Sequence, residues 1–270
     1  MNKENLIKIS ANLRKDIIEM INKAGSGHPG GALSIIDILT YLYFEKMNID
    51  PKNPKMKDRD RFILSKGHAA PALYAILSEK GYFDKNELST LRKLGSILQG
   101  HPDSKKCPGV DISTGSLGQG FSNACGIALG YKMNNSLSRV YTVLGDGEIQ
   151  EGIVWEAIMS ASKFKLDNLV AIVDNNGIQL DGRTSEIMPI ENLSETIKGF
   201  GWNVLECDGH DFSEIDKVFN LAEKTKHKPT VIIANTIKGK GVSFMEDNVA
   251  WHVAAPNKEQ TERAINEILG

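Results

Sequence analysis

Val140-Tyr141-Thr142-Val143-Leu144-Gly145-Asp146-Gly147 and, further on, Leu169-Val170-Ala171-Ile172-Val173-Asp174-Asn175-Asn176-Gly177 are the two stretches that decide the fold. Each is a short apolar, β-rich run that stops at a turn carrying hard oxygen side chains. Between them, Ile153 to Phe164 has helical spacing. Strand, helix, strand makes a βαβ unit, in which the two strands run parallel and their carboxyl ends face the same way. Neighbouring strands lie about 5 Å apart. If these two are neighbours, Asp146 and Asn176 converge on one point in the crevice where open α/β sheets bind ligands. Two oxygen donors are too few for Mg²⁺, so a backbone carbonyl, phosphate oxygens and water would have to complete an octahedral shell. Gly147 would let a phosphate approach the amino end of the following helix, where free N–H groups favour anions. Each turn alone is an ordinary turn; both on one βαβ unit are a more specific signal.

The pattern continues on either side. Leu6, Ile9, Leu13, Ile17, Met20 and Ile21 fall at helical spacing. That helix should stop at Gly25-Ser26-Gly27-His28-Pro29-Gly30-Gly31, which reads as a loop. A second helix is expected from Ser34 to Lys46, and a strand from Arg61 to Leu64 followed by Gly67-His68 and another helix. Pro102 to Ser116 is rich in turn formers. Gly118 to Met133 looks helical despite Gly120, Gly126 and Gly130, which points to close packing or close approach to a ligand. Asn203 to Leu205 and Thr230 to Ala234 alternate with helical stretches at Phe212 to Glu223 and Glu259 to Leu269. Such alternation argues for an α/β fold, a mainly parallel sheet with helices on both faces, and residues 1–270 read as a single domain.

Composition bounds the function. The chain has 270 residues and a formal net charge of −2, which excludes nucleic acid and anionic membrane surfaces as expected partners. Three widely spaced cysteines, Cys107, Cys125 and Cys207, fit a reducing cytoplasm better than a disulfide framework. The polar start, Met1-Asn2-Lys3-Glu4-Asn5, is not a signal peptide, and no apolar run approaches a membrane span.

Other candidates are weaker. His28 sits among glycines, where backbone can come close to a ligand. Imidazoles there would suit proton transfers near neutral pH. His210, in Asp208-Gly209-His210-Asp211, reads as a turn before a helix with Asp211 near its amino end, and His227 as surface. His101 and Cys107 are too few for a zinc site, and Gly115 to Gly120 does not fit the dinucleotide fingerprint. Lys238-Gly239-Lys240-Gly241 reads either as a phosphate-facing loop or as a flexible surface loop.

Gly145-Asp146-Gly147 with Asn175-Asn176 resembles the thiamine diphosphate motif, and the surrounding text resembles the transketolase family. Gly25 to Gly30, Asp60 to His68, Gly100-His101-Pro102, Thr114 to Gly120, Gly145 to Gly152 and Asp174 to Gly182 all look like transketolase segments in the family's order. The resemblance covers nearly the whole chain. It implies a three-layer α-β-α sandwich, thiamine diphosphate as cofactor, and Mg²⁺ (Ca²⁺ or Mn²⁺ as substitutes) on Asp146, the Asn176 side chain and the Ile178 carbonyl. It implies that His68, Gly115, Ser116, Leu117 and Gly147 contact the cofactor. His28 and His101 would line the pocket and bind the sugar phosphate, His252 would lie near cofactor and sugar, and Glu151 would sit at an interchain contact close to the cofactor. Two positions depart from the pattern: Ser116 stands where the family often has proline, and Val253 where it usually has glycine.

The family's activating glutamate and its sugar-phosphate arginines belong to a second, pyrimidine-binding domain, and these 270 residues carry no such domain. The resemblance therefore implies the amino-terminal half of a split transketolase. A carboxy-terminal partner subunit would supply that glutamate, in a two-plus-two heterotetramer. The rival enzyme readings are a split enzyme for an unusual ketose phosphate and a decarboxylating relative of the deoxyxylulose phosphate synthase type. A non-catalytic cofactor-binding subunit is the reading from another class.

Overall fold

The computed structural model describes residues 2–270, so Met1 of the polar start lies outside the described residues. Among the described residues seven strands form: β1 (Arg61–Leu64), β2 (Val140–Gly145), β3 (Leu169–Asn175), β4 (Ile178–Gln179), β5 (Gly182–Arg183), β6 (Asn203–Asp208) and β7 (Thr230–Asn235). Five of them make one parallel sheet in the order β1-β2-β3-β7-β6, and β4 and β5 form a small antiparallel hairpin. The central strands β2 and β3 are buried along nearly their whole length, as strands covered on both faces must be. The register is flush where it matters: Gly145 pairs with Asp174, and Asn175 with Asn235. Three strands thus end level, and the loops after them leave the sheet side by side.

Ten α-helices within the same residues accompany the sheet: α1 (Lys3–Ala24), α2 (Pro29–Ser34), α3 (Ile36–Tyr41), α4 (Ala70–Lys80), α5 (Gln119–Met133), α6 (Gly152–Lys163), α7 (Thr184–Ile187), α8 (Leu193–Gly199), α9 (Phe212–Lys224) and α10 (Lys258–Leu269). Two hydrophobic clusters flank the sheet. One joins Leu13, Ile17 and Ile21 of α1 to Leu73 of α4, Phe219 of α9 and Tyr141 of β2. The other joins Phe121 of α5 and Ile158 of α6 to Leu144, Val173 and Trp202. Side chains of β2 alternate between the two clusters, which makes the three-layer α-β-α architecture expected. The apolar stripe of α1 is buried as its spacing predicted; Asn2 caps its start and Gly25, at φ +66°, ends it.

The glycine-rich segment is not all loop. Pro29-Gly30-Gly31 is the first turn of α2, five residues ahead of the expected helix start at Ser34. Proline suits the first helical turn because it lacks only an N–H that would be unpaired there anyway. The glycines are required by neighbours far along the chain. A Cβ on Gly30 would lie 2.9 Å from Lys238 Cγ, and one on Gly31 would lie 3.2 Å from Lys66 Nζ. The expected helix from Ser34 to Lys46 is also broken, into α2, α3 and a π-helical turn over Leu42–Lys46.

Glycines within α5 are of two kinds. A Cβ on Gly120 would lie 2.7 Å from Ser65 Cα, whereas Gly126 and Gly130 face open space, so the close packing inferred from all three holds only for the first. Gly120→Ala should therefore destabilise the chain by about 1–3 kcal/mol through overpacking. Gly126→Ala should stabilise it by up to about 1 kcal/mol through helix propensity. Urea unfolding of the two variants beside the parent chain checks both signs.

Candidate active site

The loops at the level ends of β2, β3 and β7 carry the site. Asp146 follows β2, Asn176 follows β3, Ile178 opens β4, and Lys238 lies just beyond β7. Asp146 is held by backbone: Oδ1 accepts from Gly147 N at 2.8 Å and Oδ2 from Gly177 N at 2.6 Å. The second bond ties the β2 loop to the β3 loop, and Gly177, at φ +75°, makes that turn. Asn176 is fixed at both ends of its amide. Nδ2 donates to Asp174 Oδ2 at 2.9 Å, and Oδ1 accepts from Ile178 N at 3.1 Å. Asp146, Asn176 and Ile178 line one cavity of about 350 Å³.

Behind them lies a charge arrangement that sequence reading missed. Asp174 is fully buried. Its Oδ2 accepts from Lys66 Nζ at 2.5 Å, Ser34 Oγ at 2.6 Å and Asn176 Nδ2, and its Oδ1 from Thr236 Oγ1 at 2.5 Å. Burial works against that charge, but Lys66 and the hydroxyl donors hold the carboxyl below its ordinary range. Glu148 is buried on the other side, accepting from Ser65 Oγ, Gly118 N and Gly145 N, and so ties together the loops after β1 and β2 and the start of α5. Charged residues inside an apolar stretch were the available signal. Lys66 stands two residues after the apolar run of β1, and Asp174 directly follows that of β3.

Lys238 is 3% exposed, which rules out the surface-loop reading for this residue. Its Nζ donates to the Ile178 carbonyl at 2.9 Å. Among the described residues no carboxylate lies within ion-pair distance of it. Burial, then the nearby Lys66 charge, push its ammonium down to about 8. Asp146 shows the opposite strain: burial, then the charge of Asp174, push its carboxyl up to about 6. A carboxylate short of cations and an ammonium short of anions thus face one cavity.

His28, His68 and His252 cluster in the same cavity, near Lys66 and Lys238, with ring centroids 5.3 to 5.8 Å apart. His28 precedes α2, His68 lies in a 3₁₀ turn after β1, and His252 follows a 3₁₀ turn over Val249–Trp251. Burial first, then neighbouring cations, hold all three below the usual imidazole range: His28 at about 4 beside Arg92, His252 at about 3 beside Lys238, and His68 well below it. They are neutral at pH 7, able to donate at one nitrogen and accept at the other. His252 Nδ1 is buried without a hydrogen-bond partner among the described residues.

The other expected residues fall into two groups. Gly115, Leu117, Gly147, Glu151 and Val253 line the cavity. His101 stands outside the histidine cluster, exposed at the rim with its ring against Gly115, and Ser116 is exposed and does not line the cavity. The helix expected from Ile153 to Phe164 is α6, but Gly147 is set apart from its amino end. That glycine begins a 3₁₀ turn over Gly147–Gln150, its N–H is occupied by Asp146, and α6 starts only at Gly152. A Cβ at Gly147 would lie 2.9 Å from Gln179 Cβ, which is the reason for glycine there.

The donor set suits a hard divalent cation: one carboxylate, one amide oxygen and one main-chain carbonyl, with room beyond them for phosphate oxygens. Among the described residues no three His, Cys, Asp or Glu side chains group to bind a metal, so a purely protein-liganded zinc site is not present there. Lys66 and Lys238 beside the oxygen donors suit an anion lying over the cation.

Comparison with known proteins places this geometry. Residues 5–270 match the family model described as "Transketolase, thiamine diphosphate binding domain". The 6-deoxy-6-sulfo-D-fructose transketolase subunit SqwG of a Clostridium species is 47% identical over 256 residues, covering 95% of this chain and 93% of the relative. The apulose-4-phosphate transketolase subunit of Phocaeicola vulgatus is 44% identical, covering 94% of this chain and 90% of that relative. The crystal structure of transketolase from Campylobacter jejuni superposes with a TM-score of 0.93 at 36% identity. That match spans 99% of this chain and 43% of the solved one.

The two displaced ionisations set a pH window. Below about 6 a cation must displace the proton on Asp146, and above about 8 Lys238 loses the charge that attracts an anion. Calorimetric titration with thiamine diphosphate and Mg²⁺ should give an affinity that is highest between these values. It should fall by up to about tenfold per pH unit on the acid side. Lys238→Met should flatten the alkaline limb and leave the acid limb.

Proposed function

We propose, from the premise that this chain belongs to the transketolase family as its thiamine diphosphate-binding domain, that it is the diphosphate-binding subunit of a two-chain transketolase. Residues 1–270 form one such domain in this reading. The enzyme moves a two-carbon ketol unit from a ketose phosphate to an aldose phosphate. The observation that carries the reading is the convergence of Asp146, the Asn176 amide oxygen and the Ile178 carbonyl beside buried Lys238, with three neutral histidines in the same cavity.

Asp146, Asn176 and Ile178 would hold Mg²⁺, with Ca²⁺ or Mn²⁺ as substitutes. Lys238 supplies the unpaired positive charge for the diphosphate, while the Lys66 charge is largely balanced by Asp174. Bound there, thiamine diphosphate supplies the electron sink for cleaving a carbon–carbon bond next to a carbonyl. This chain's residues do the rest. His28, His68 and His252, neutral at pH 7, orient hydroxyls and exchange protons with them, and His252 Nδ1 is available because no described residue satisfies it. His101 acts from the rim, on the sugar rather than the cofactor. Gly115, Leu117 and Glu151 flank the cofactor in the cavity that exposed Leu180 and Val253 also line, and Ser116 reaches it from outside that lining.

Two relatives matched over nearly their full length are themselves named as transketolase subunits, which supports a complementary partner. That partner would bring the pyrimidine-binding domain with its activating glutamate and the sugar-phosphate arginines, in a two-plus-two assembly. Three free, buried cysteines fit a cytoplasmic location, and among the described residues no helix is long and apolar enough to cross a membrane. The same two relatives, named for 6-deoxy-6-sulfo-D-fructose and apulose 4-phosphate, favour a second reading: a donor outside the common ketopentose phosphates. The family match weighs against a decarboxylating enzyme.

Purified alone with Mg²⁺ and cofactor, the chain should show almost no ketol transfer. With its partner it should turn over, and Asp146→Ala should remove that activity. Full turnover by the isolated chain would refute the shared site. Assaying the complex with a ketopentose phosphate, 6-deoxy-6-sulfofructose and apulose 4-phosphate separates the two donor readings.

A further inference from the structure

Lys238 occupies a four-residue segment, Ile237 to Lys240, that is gripped at both ends. At the front, Ile237 N donates to His210 Nε2 at 2.9 Å. At the back, the Lys240 carbonyl accepts from Arg14 Nε at 3.1 Å. Asp37 joins the two grips. Its Oδ2 lies 2.8 Å from His210 Nδ1, and Arg14 binds both carboxylate oxygens, Nη1 to Oδ1 at 3.0 Å and Nη2 to Oδ2 at 2.5 Å. The result is a closed ring, Ile237–His210–Asp37–Arg14–Lys240, with Lys238 inside the span it fixes.

Arg14 and Asp37 are buried, His210, Ile237 and Lys240 half-buried, and the bonds fix where the His210 hydrogen sits. A backbone N–H can donate only to an unprotonated Nε2, so the His210 hydrogen sits on Nδ1 and points at Asp37. Burial alone would raise the Asp37 carboxyl; the Arg14 guanidinium, then His210, bring it down to about 2. The carboxylate therefore stays charged across the physiological range. Its members come from α1, α3, the loop before α9 and the loop after β7, so it is a tertiary device and not a local turn. Asp211 does cap α9 through Ser213 N, as the sequence suggested, but a helix cap does not need the preceding His210 to reach into α3 and the β7 loop.

We propose that His210, backed by Asp37 and Arg14, is a positioning residue for the diphosphate end of the site, because it fixes the segment that aims the Lys238 ammonium at the Ile178 carbonyl and the ligand beside it. The inference rests on the cofactor reading given above. A third tie, Gly239 N to the Gly30 carbonyl at 3.0 Å, holds the middle of the segment, so loss of His210 frees one end without releasing the loop.

The test compares His210→Ala, His210→Gln, His210→Asn and Lys238→Met in the assembled enzyme. Thiamine diphosphate with Mg²⁺ is titrated by calorimetry, and amide hydrogen exchange is followed at Ile237. Glutamine can present an oxygen to Ile237 N–H; asparagine reaches Asp37 but falls short of Ile237. Expected are about tenfold weaker cofactor binding and faster Ile237 exchange in His210→Ala and His210→Asn, with most of both restored in His210→Gln; tenfold corresponds to about 1.4 kcal/mol. Adding His210→Ala to Lys238→Met should cost little more than Lys238→Met alone, since the two act through one group. Additive losses, or a glutamine no better than asparagine, would reduce His210 to a structural residue. Unchanged affinity in a well-folded His210→Asn overturns the proposal even if His210→Ala fails to fold. A wild-type enzyme that does not bind thiamine diphosphate at all would instead strike the reading of the site.

Discussion

The structure turns on one buried carboxylate. Asp174 sits at the end of the central strand β3, fully enclosed, and takes hydrogen bonds from Lys66, Ser34, Thr236 and Asn176. A carboxylate buried without partners would cost several kcal/mol, so four separate segments must bring their donors to it. Lys66 comes from the loop after β1, Ser34 from α2, Thr236 from the loop after β7, and Asn176 from its own turn. The same convergence stations the donors of the cavity around a point just outside the sheet. The buried carboxylate behind the cavity thus determines where the side chains that line it can stand.

Three acids near the cavity show how surroundings decide the role of one chemical group. Asp174 has Lys66 and is held ionised. Glu148 is satisfied by a hydroxyl and two backbone N–H groups and serves as a tie between loops. Asp146 accepts two backbone N–H bonds, yet its burial and the charge of Asp174 leave its carboxyl pushed up. Burial pushes the Glu148 carboxyl up as well, but of the three Asp146 is the one that lines the cavity with only backbone donors among its described partners. Such a charge beside a cavity is a better pointer to a ligand than any of the three as a letter in a sequence.

The βαβ unit was legible because its signals are local: β-branched runs, a helical period between them, and oxygen side chains at the turns. Asp146 and Asn176 followed directly from that reading. The segment Pro29-Gly30-Gly31 was misread because its glycines answer to Lys238 and Lys66, residues far away in the chain, and a glycine needed for close approach looks the same in sequence as one needed for a turn. Lys238 itself was undecidable between cavity and solvent, since nothing in Lys-Gly-Lys-Gly reveals that one lysine is buried and the next partly exposed. His210 was correctly read as a turn residue, but its bonds to Asp37 and Ile237 are tertiary and left no local trace.

The strand order has a kinetic side. β1 must wait for β2, which lies beyond α4 and α5 in the chain, and β3 closes against β7 only after β6 and α9 have been passed over. Parallel pairings over such long separations are slow to form, because loop entropy is lost before the contacts that repay it. Asp146, Asn176 and Ile178 share one βαβ unit and can meet early, but Lys66 and Lys238 join them only when β1 and β7 have paired. The complete cavity is therefore a property of the finished fold. A ligand that needs all of it binds that fold and not the unfolded chain, and its binding free energy then acts against unfolding.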